Sequence, residues 1–137
     1  MREIKFRGKN KDIGWVCGQL AYDINGNAYI IQEVELDSSY GIEETILFAT
    51  MWYRVEKETL GQYTGLKDKN GKEIYEGDIV KSFFVDTDEA GNEIYKYYII
   101  EVKYDEVLCS YKIDKFMNLE VIGNIYENKE LLNETNR

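Results

Sequence analysis

The segment TGLKDKNGKEIYEGDIV, residues 64–80, decides how the fold of this chain is interpreted. Its Asn70-Gly71 pair is flanked by charged residues, and such a pair is a strong signal for a tight β-hairpin turn. Gly77 stands further along, where a bend can take a positive φ without a steric penalty. We therefore predict Asn70 and Gly71 at positive φ in a hairpin and Gly77 at a second bend, rather than a functional loop.

The sequence on both sides of this segment is typical of short strands separated by turn residues. Asn25-Gly26 gives another hairpin signal, and no alternation of strands with long helices indicates a parallel sheet. Asn128 is a good N-cap, and Glu130 suits the positive end of a helix dipole. The strands are predicted at 3–7, 13–22, 28–34, 44–50, 52–55, 59–63, 79–85, 94–104, 107–113 and 119–126, with loops at 8–12 and 33–40 and a turn at 56–58.

These patterns predict a mainly β protein built from short antiparallel strands in two lobes. The lobes are expected at residues 1–58 and 59–127, and residues 128–137 are expected to form a short helix and a tail. A chain of 137 residues is long enough to bury one core or two closely packed ones.

Charge and hydropathy restrict the partners and the location of the protein. The formal net charge of −9 repels phosphate backbones and anionic lipids. No apolar run is long enough to span a bilayer, and residues 1–10 lack the apolar core of a signal peptide. We therefore expect a soluble cytoplasmic protein that binds no membrane.

The absence of histidine removes the commonest general base near neutral pH and the commonest ligand of zinc, copper and iron. Cys17 and Cys109 have no histidine to activate a thiolate and form no Cys-x-x-Cys pair, so both are expected to be buried free thiols. We predict no catalytic, cofactor-binding or metal-binding residues, and no enzyme activity.

Two groups of acidic residues have the composition of a functional site. Residues 86–93 begin like an EF-hand calcium loop, but Ala90 and Tyr97 stand where that loop needs ligands, so we interpret the segment as a hairpin tip. The carboxylates Asp68, Glu73, Glu76 and Asp78 could in principle perform acid–base chemistry. Because no motif fixes their spacing, we interpret them as turn-forming and solubilising residues.

The stretch Tyr95-Lys96-Tyr97-Tyr98 interleaves rings with a cation, as proteins that stack nucleic-acid bases do. Strand alternation places Tyr95 and Tyr97 on one face, and Lys96 and Tyr98 on the other. Tyrosines in such positions pack across strands or fill protein interfaces, and a self-association surface is the preferred interpretation.

Three separated blocks of the sequence resemble the YopX family. They are Ile4-Lys5-Phe6-Arg7, the run from Gly61 to Val80, and Val121-Ile122-Gly123-Asn124-Ile125-Tyr126-Glu127. The family consists of small proteins encoded by bacteriophages and prophages. The resemblance implies a mostly β protein whose second half is an SH3-like barrel, with homo-oligomerisation. It implies no established biochemical activity and no catalytic residue.

The first functional hypothesis is therefore a non-enzymatic phage or prophage protein that assembles with itself or docks on a host or phage protein. The alternatives are a nucleic-acid-associated β-barrel protein and an acidic mimic that occupies a host DNA-binding protein. The negative charge argues against nucleic acid as a partner. A cluster of N-terminal cations keeps that alternative open: Arg2, Lys5, Arg7, Lys9 and Lys11.

Overall fold

The computed structural model describes residues 3–37, 46–105, 110–111 and 118–133. The described part is mainly antiparallel β-structure, as predicted, and falls into two compact units, Met1–Gln62 and Tyr63–Arg137. The elements are β1 (Phe6–Asn10), β2 (Gly14–Tyr22), β3 (Ala28–Asp37), β4 (Ile46–Lys67), β5 (Glu73–Tyr75), β6 (Asp78–Thr87), β7 (Glu93–Glu101), β8 (Tyr104–Asp105), β9 (Ser110–Tyr111), β10 (Leu119–Asn124) and the 3-10 helix η1 (Lys129–Asn133).

The first unit is a closed ring of four antiparallel strands. Strand β1 pairs with β2, β2 with β3 and β3 with β4, and β4 returns to pair with β1. Inside the ring, alternate side chains form one apolar cluster, which consists of Val16, Ala28, Ile30 and Val55 with Phe6, Leu20, Tyr53 and Leu60 packed around it. Burial of this cluster is the main source of stability for the ring.

The loop predicted at residues 8–12 is wrong for its first three residues, which belong to β1. A Cβ atom on Gly8 would lie 2.7 Å from the Val55 Cγ2 atom. Gly8 is thus part of the strand because Val55 packs directly against its backbone. In the sequence, Gly8 indicates the end of a strand. In the structure, it permits close packing within β1.

Strand β4 runs without interruption from Ile46 to Lys67, so the turn predicted at residues 56–58 is wrong. The pairing with β1 shifts register between Arg7↔Gly61 and Lys9↔Glu56, which accommodates the extra residues as a bulge. The Thr59 hydroxyl holds the bulge, because it accepts the Lys9 N–H at 2.8 Å and donates to the Glu56 carbonyl at 2.6 Å.

Strands β3 and β4 continue beyond the ring as a two-stranded ribbon. Its pairs run from Val34↔Ala49 through Glu35↔Phe48 and Leu36↔Leu47 to Asp37↔Ile46. The irregular chain predicted at residues 33–40 is therefore wrong for residues 33–37, because cross-strand pairing outweighs the acidic composition. Residues 38–40 lie outside the described residues.

In the second unit β4 pairs with β5, and β6 lies between β10 and β7. Its core cluster contains Ile74, Val80, Val102 and Leu119. Among the described residues, the pairings do not establish the SH3-like barrel expected for residues 59–127.

The C-terminal helix is a 3-10 helix with no buried residue, and its Leu131 N–H donates to the Asn128 carbonyl at 2.9 Å. Within the described ranges, no helix has the length and apolarity to cross a membrane.

Candidate functional site

Three five-residue turns share one construction: Asp23–Asn27, Asp68–Lys72 and Asp88–Asn92. In each, the glycine N–H donates to the aspartate carbonyl at 3.0 Å, and the aspartate N–H donates to the carbonyl of the fifth residue. The aspartate carboxylate also accepts the N–H groups of the third and fifth residues. We call these the Asp-x-x-Gly turns.

This construction corrects the prediction for Asn70. Gly71 has a φ of 83°, but Asn118 is the one non-glycine at positive φ among the described residues. The turn is therefore a type I turn followed by a left-handed glycine, not the type I′ turn that Asn70-Gly71 suggests. The bend at Gly77 is confirmed, with a φ of 89°. The signal missed in the sequence is the aspartate three positions before each glycine.

The predicted hairpin tip is present: residues 88–92 connect β6 and β7, and the ends of the predicted segment belong to the strands, with Thr87 paired to Glu93. The Asp88 carboxylate accepts the Ala90 and Asn92 N–H groups, and the Asp86 carboxylate pairs with the Lys96 ammonium at 3.0 Å. These contacts use the oxygens that an EF-hand would direct at calcium. Across the described ranges, no three acidic or thiol side chains converge in a way that could hold a metal ion.

The acidic residues of the opening segment have structural contacts. Asp68 is buried, and its carboxylate accepts the N–H groups of Asn70, Lys72 and, from β10, Val121. Asp78 is buried as well and accepts the Tyr75 N–H at 2.8 Å. Both carboxylates thus fix backbone geometry, as expected of turn residues.

The pKa of three aspartates is held below its ordinary value of 3.8. Hydrogen bonds from the side chain and backbone of Asn27 lower the pKa of Asp23 to about 2. Burial alone would raise the pKa of Asp68, but the N–H donors of Val121, Lys72 and Asn70 outweigh it. The Lys96 hydrogen bond lowers the pKa of Asp86.

These shifts predict acid-sensitive folding. Since the folded-state pKa values are depressed below 3.8, the three carboxylates stabilise the fold fully above about pH 4. Their contribution is lost as the pH falls through the folded-state pKa values, which for Asp23 is about 2. Thermal melts across pH 2–7 are expected to show a falling melting temperature below about pH 4, with a shallower fall in the Asp23→Asn variant. A melting temperature that stays constant down to about pH 2 would contradict this.

The prediction of buried thiols is wrong for Cys17, which is exposed and free. Val16 points into the ring, so the alternation of β2 directs Cys17 outward. Cys109 lies outside the described residues.

The tyrosines of β7 lie on two faces, as predicted. Tyr97 lies opposite Phe83 in the register, with ring centroids 6.4 Å apart. The Tyr98 ring stacks on that of Phe84, diagonally across the two strands, with centroids 5.1 Å apart. The Lys81 ammonium lies 4.3 Å from the Tyr97 ring centroid and 5.6 Å from that of Phe83. The Lys81 ammonium therefore contacts the Tyr97 and Phe83 rings, on which a base would otherwise stack.

The N-terminal cations that the structure describes have different surroundings. Arg2 lies outside the described residues, Lys5 pairs with Glu3 at 3.6 Å, and the Arg7 guanidinium lies 4.8 Å from the Trp15 ring centroid. Lys9 and Lys11 instead line a cleft with residues of β3 and β4, which we call the β1–β4 cleft. It is lined by residues 9–12, 27–28 and 54–58.

One side of the β3–β4 ribbon is apolar and open to solvent. The exposed fractions are 49% for Val34, 68% for Leu36, 63% for Leu47 and 54% for Trp52. Ala49 and Trp52 line a shallow apolar hollow of about 260 Å³ with Ile31 and Tyr29. We call this surface the apolar ribbon face: Ile31, Val34, Leu36, Leu47, Ala49 and Trp52.

Two comparisons found proteins that are similar to this chain. No curated protein matches the chain. A crystal structure of protein EF1440 from Enterococcus faecalis is similar, with 26% sequence identity and a TM-score of 0.51, over 96% of this chain and 99% of the other. The model of the family described as YopX protein matches residues 5–133. Because that match covers nearly the whole chain, the protein belongs to the YopX family.

Proposed function

We propose that the protein is a phage- or prophage-encoded, non-enzymatic module that pairs with a second copy of itself through the apolar ribbon face. The observation that supports this proposal most strongly is the exposure of four large apolar side chains on one surface: Val34, Leu36, Leu47 and Trp52. Contiguous exposed apolar surface of this kind is typical of protein interfaces. In this proposal the protein works in the host cytoplasm, and residues 59–127 form the SH3-like barrel that the family resemblance implies.

The charge distribution favours a second copy as the occupant. Cross-strand partners share a face, so Val34 and Ala49 lie together, as do Leu36 and Leu47. Glu35 pairs with Phe48, and Glu33 bonds the Thr50 hydroxyl at 2.9 Å, both on the opposite face. Two copies can therefore meet through an uncharged surface, although each chain carries a net charge of −9.

The ribbon also offers backbone groups to a partner. In the described part of the chain, β3 beyond Ile31 pairs only with β4, and β4 before Glu56 pairs only with β3. Each strand thus presents an edge that can extend a sheet across two copies. A two-fold arrangement would bring the same edge and the same apolar face together from both chains.

Leu36→Glu with Leu47→Glu is expected to weaken self-association by about a hundredfold or more, because burying two carboxylates in an apolar contact is costly. Light scattering should give a mass of twice 16.1 kDa for the wild type and 16.1 kDa for this variant.

The matched control is Ile24→Glu with Tyr95→Glu, which adds the same charge at side chains that are exposed outside the ribbon. The control should remain a dimer, and circular dichroism should show both variants folded. A monomeric wild type at high protein concentration, or a doubly substituted ribbon that still dimerises, would overturn the proposal.

A further inference from the structure

The β1–β4 cleft is separate from the apolar ribbon face and has a different chemistry. Its volume of about 530 Å³ lies within the range of small-ligand pockets, roughly 300–1000 Å³. Three chain segments line it: the end of β1 with the turn that follows, the start of β3 with the residue before it, and the middle of β4.

Basic groups outnumber acidic groups in the cleft, in contrast to the chain as a whole. The cations are Lys9, Lys11, Arg54 and Lys57, and the carboxylates are Asp12, Glu56 and Glu58. Among residues 3–37, 46–105, 110–111 and 118–133, neither Lys11 nor Lys57 forms an ion pair. Within a protein of net charge −9, this cleft is therefore a local site of attraction for an anion.

The side chain of Asn10 holds two walls of the cleft together. Its Oδ1 atom accepts the N–H groups of Asp12 and Ile13 at 2.9 and 3.0 Å, which fixes the turn that carries Lys11. Its Nδ2 atom donates to the Arg54 carbonyl on β4 at 2.8 Å. The two walls are thus in place before any ligand arrives, which lowers the entropic cost of binding.

Arg54 is held in the same way. Its Nη2 atom donates to the Asn27 side-chain oxygen at 2.8 Å. A guanidinium has several N–H donors in a planar fork, so one bond can orient it while others contact a phosphate. Lys57 lies nearby, since a Cβ atom on Gly26, next to Asn27, would be 3.2 Å from its Nζ atom.

From this geometry we propose that the β1–β4 cleft binds a small phosphate-bearing molecule with free hydroxyl groups, of about the size of a mononucleotide. The cations supply charge-assisted hydrogen bonds to the phosphate. The carboxylates of Asp12, Glu56 and Glu58 accept hydrogen bonds from hydroxyl groups, whereas they would repel successive phosphates of a nucleic-acid strand. The mixed charge of the cleft thus favours a compact ligand over a polyanion.

The test uses the intact protein labelled with ¹⁵N and titrated with adenosine monophosphate, inorganic pyrophosphate or a short oligothymidylate. Adenosine monophosphate is expected to shift the amide resonances of residues 9–12 and 54–58 in a saturable way. Lys11→Gln with Lys57→Gln should raise its dissociation constant about tenfold or more, because two charge-assisted contacts are lost. The matched control, Lys103→Gln with Lys129→Gln, removes the same charge outside the cleft and should change it by less than about twofold.

Three results would overturn the proposal. One is the absence of saturable shifts at these residues with both small phosphates. Another is equal weakening in the two double variants, which would indicate attraction to overall charge only. The third is binding of the oligothymidylate without binding of adenosine monophosphate, which would assign the cleft to a nucleic-acid strand.

Discussion

Asp68→Ala is expected to destabilise the second unit by about 3 kcal/mol or more. The Asp68 carboxylate is buried and accepts N–H groups from Asn70, Lys72 and Val121. Alanine removes all three hydrogen bonds to a charged acceptor and leaves the N–H of the half-buried Val121 without its partner. The loss also removes one of the contacts between the turn and β10, although the Lys69 N–H still donates to the Leu119 carbonyl at 2.8 Å.

Asp88→Ala is the matched control for this effect, because Asp88 has the same place in an Asp-x-x-Gly turn of the same unit. Its carboxylate accepts only local donors in an exposed tip, namely the N–H groups of Ala90 and Asn92 and the side-chain amide of Asn92. The expected cost is about 1 kcal/mol. Urea unfolding curves of the two variants measure the difference, and equal costs would show that the Val121 bond contributes nothing.

Gly77→Val is expected to destabilise the protein by about 3–4 kcal/mol, through two separate effects. The φ of 89° at Gly77 is strained for any side chain, and most strongly for a β-branched one. A Cβ atom there would also lie 3.0 Å from the Tyr126 Cε2 atom, so the tyrosine must move. The surrounding backbone resists adjustment, because the Gly77 N–H donates to Val102 and its carbonyl accepts the Ile125 N–H.

Gly91→Val separates these two effects. Gly91 has a φ of 83°, but nothing lies within 4 Å of the Cβ position. This variant therefore carries the backbone strain alone, at a cost of about 1–2 kcal/mol. Chemical denaturation of both variants gives the contribution of the Tyr126 contact as the difference. If Gly91→Val were as costly as Gly77→Val, the packing at Tyr126 would be irrelevant.

The positions of the hairpin turns could be predicted from the sequence, but the contacts that attach those turns to distant strands could not. Asn25-Gly26 and Asn70-Gly71 mark two tips because glycine tolerates the left-handed region, which is a local property. The role of Asp68 depends on Val121, which belongs to a strand distant in sequence. The spacing of residues close in sequence carries no information about a contact of that kind.

Errors in the first unit have a similar origin. Glu56-Lys57-Glu58 has the composition of a surface turn, yet its chain continues as β4 because pairing with β1 absorbs it as a bulge. The acidic residues 33–37 extend β3 for the same reason, through their pairing with β4. Neither the apolar ribbon face nor the β1–β4 cleft could be predicted from the sequence, because each consists of residues that become neighbours only in the folded ring and ribbon.

The repeated construction of the turns has an evolutionary consequence. The aspartate and the glycine supply the side-chain bonds and the dihedral angle, so the turn itself does not need particular side chains at the two positions between them. They are Ile24-Asn25, Lys69-Asn70 and Glu89-Ala90, which present an apolar, a basic and an acidic residue on the same scaffold. The exterior of each tip can thus change its chemical identity across generations while the strands beneath it remain in register.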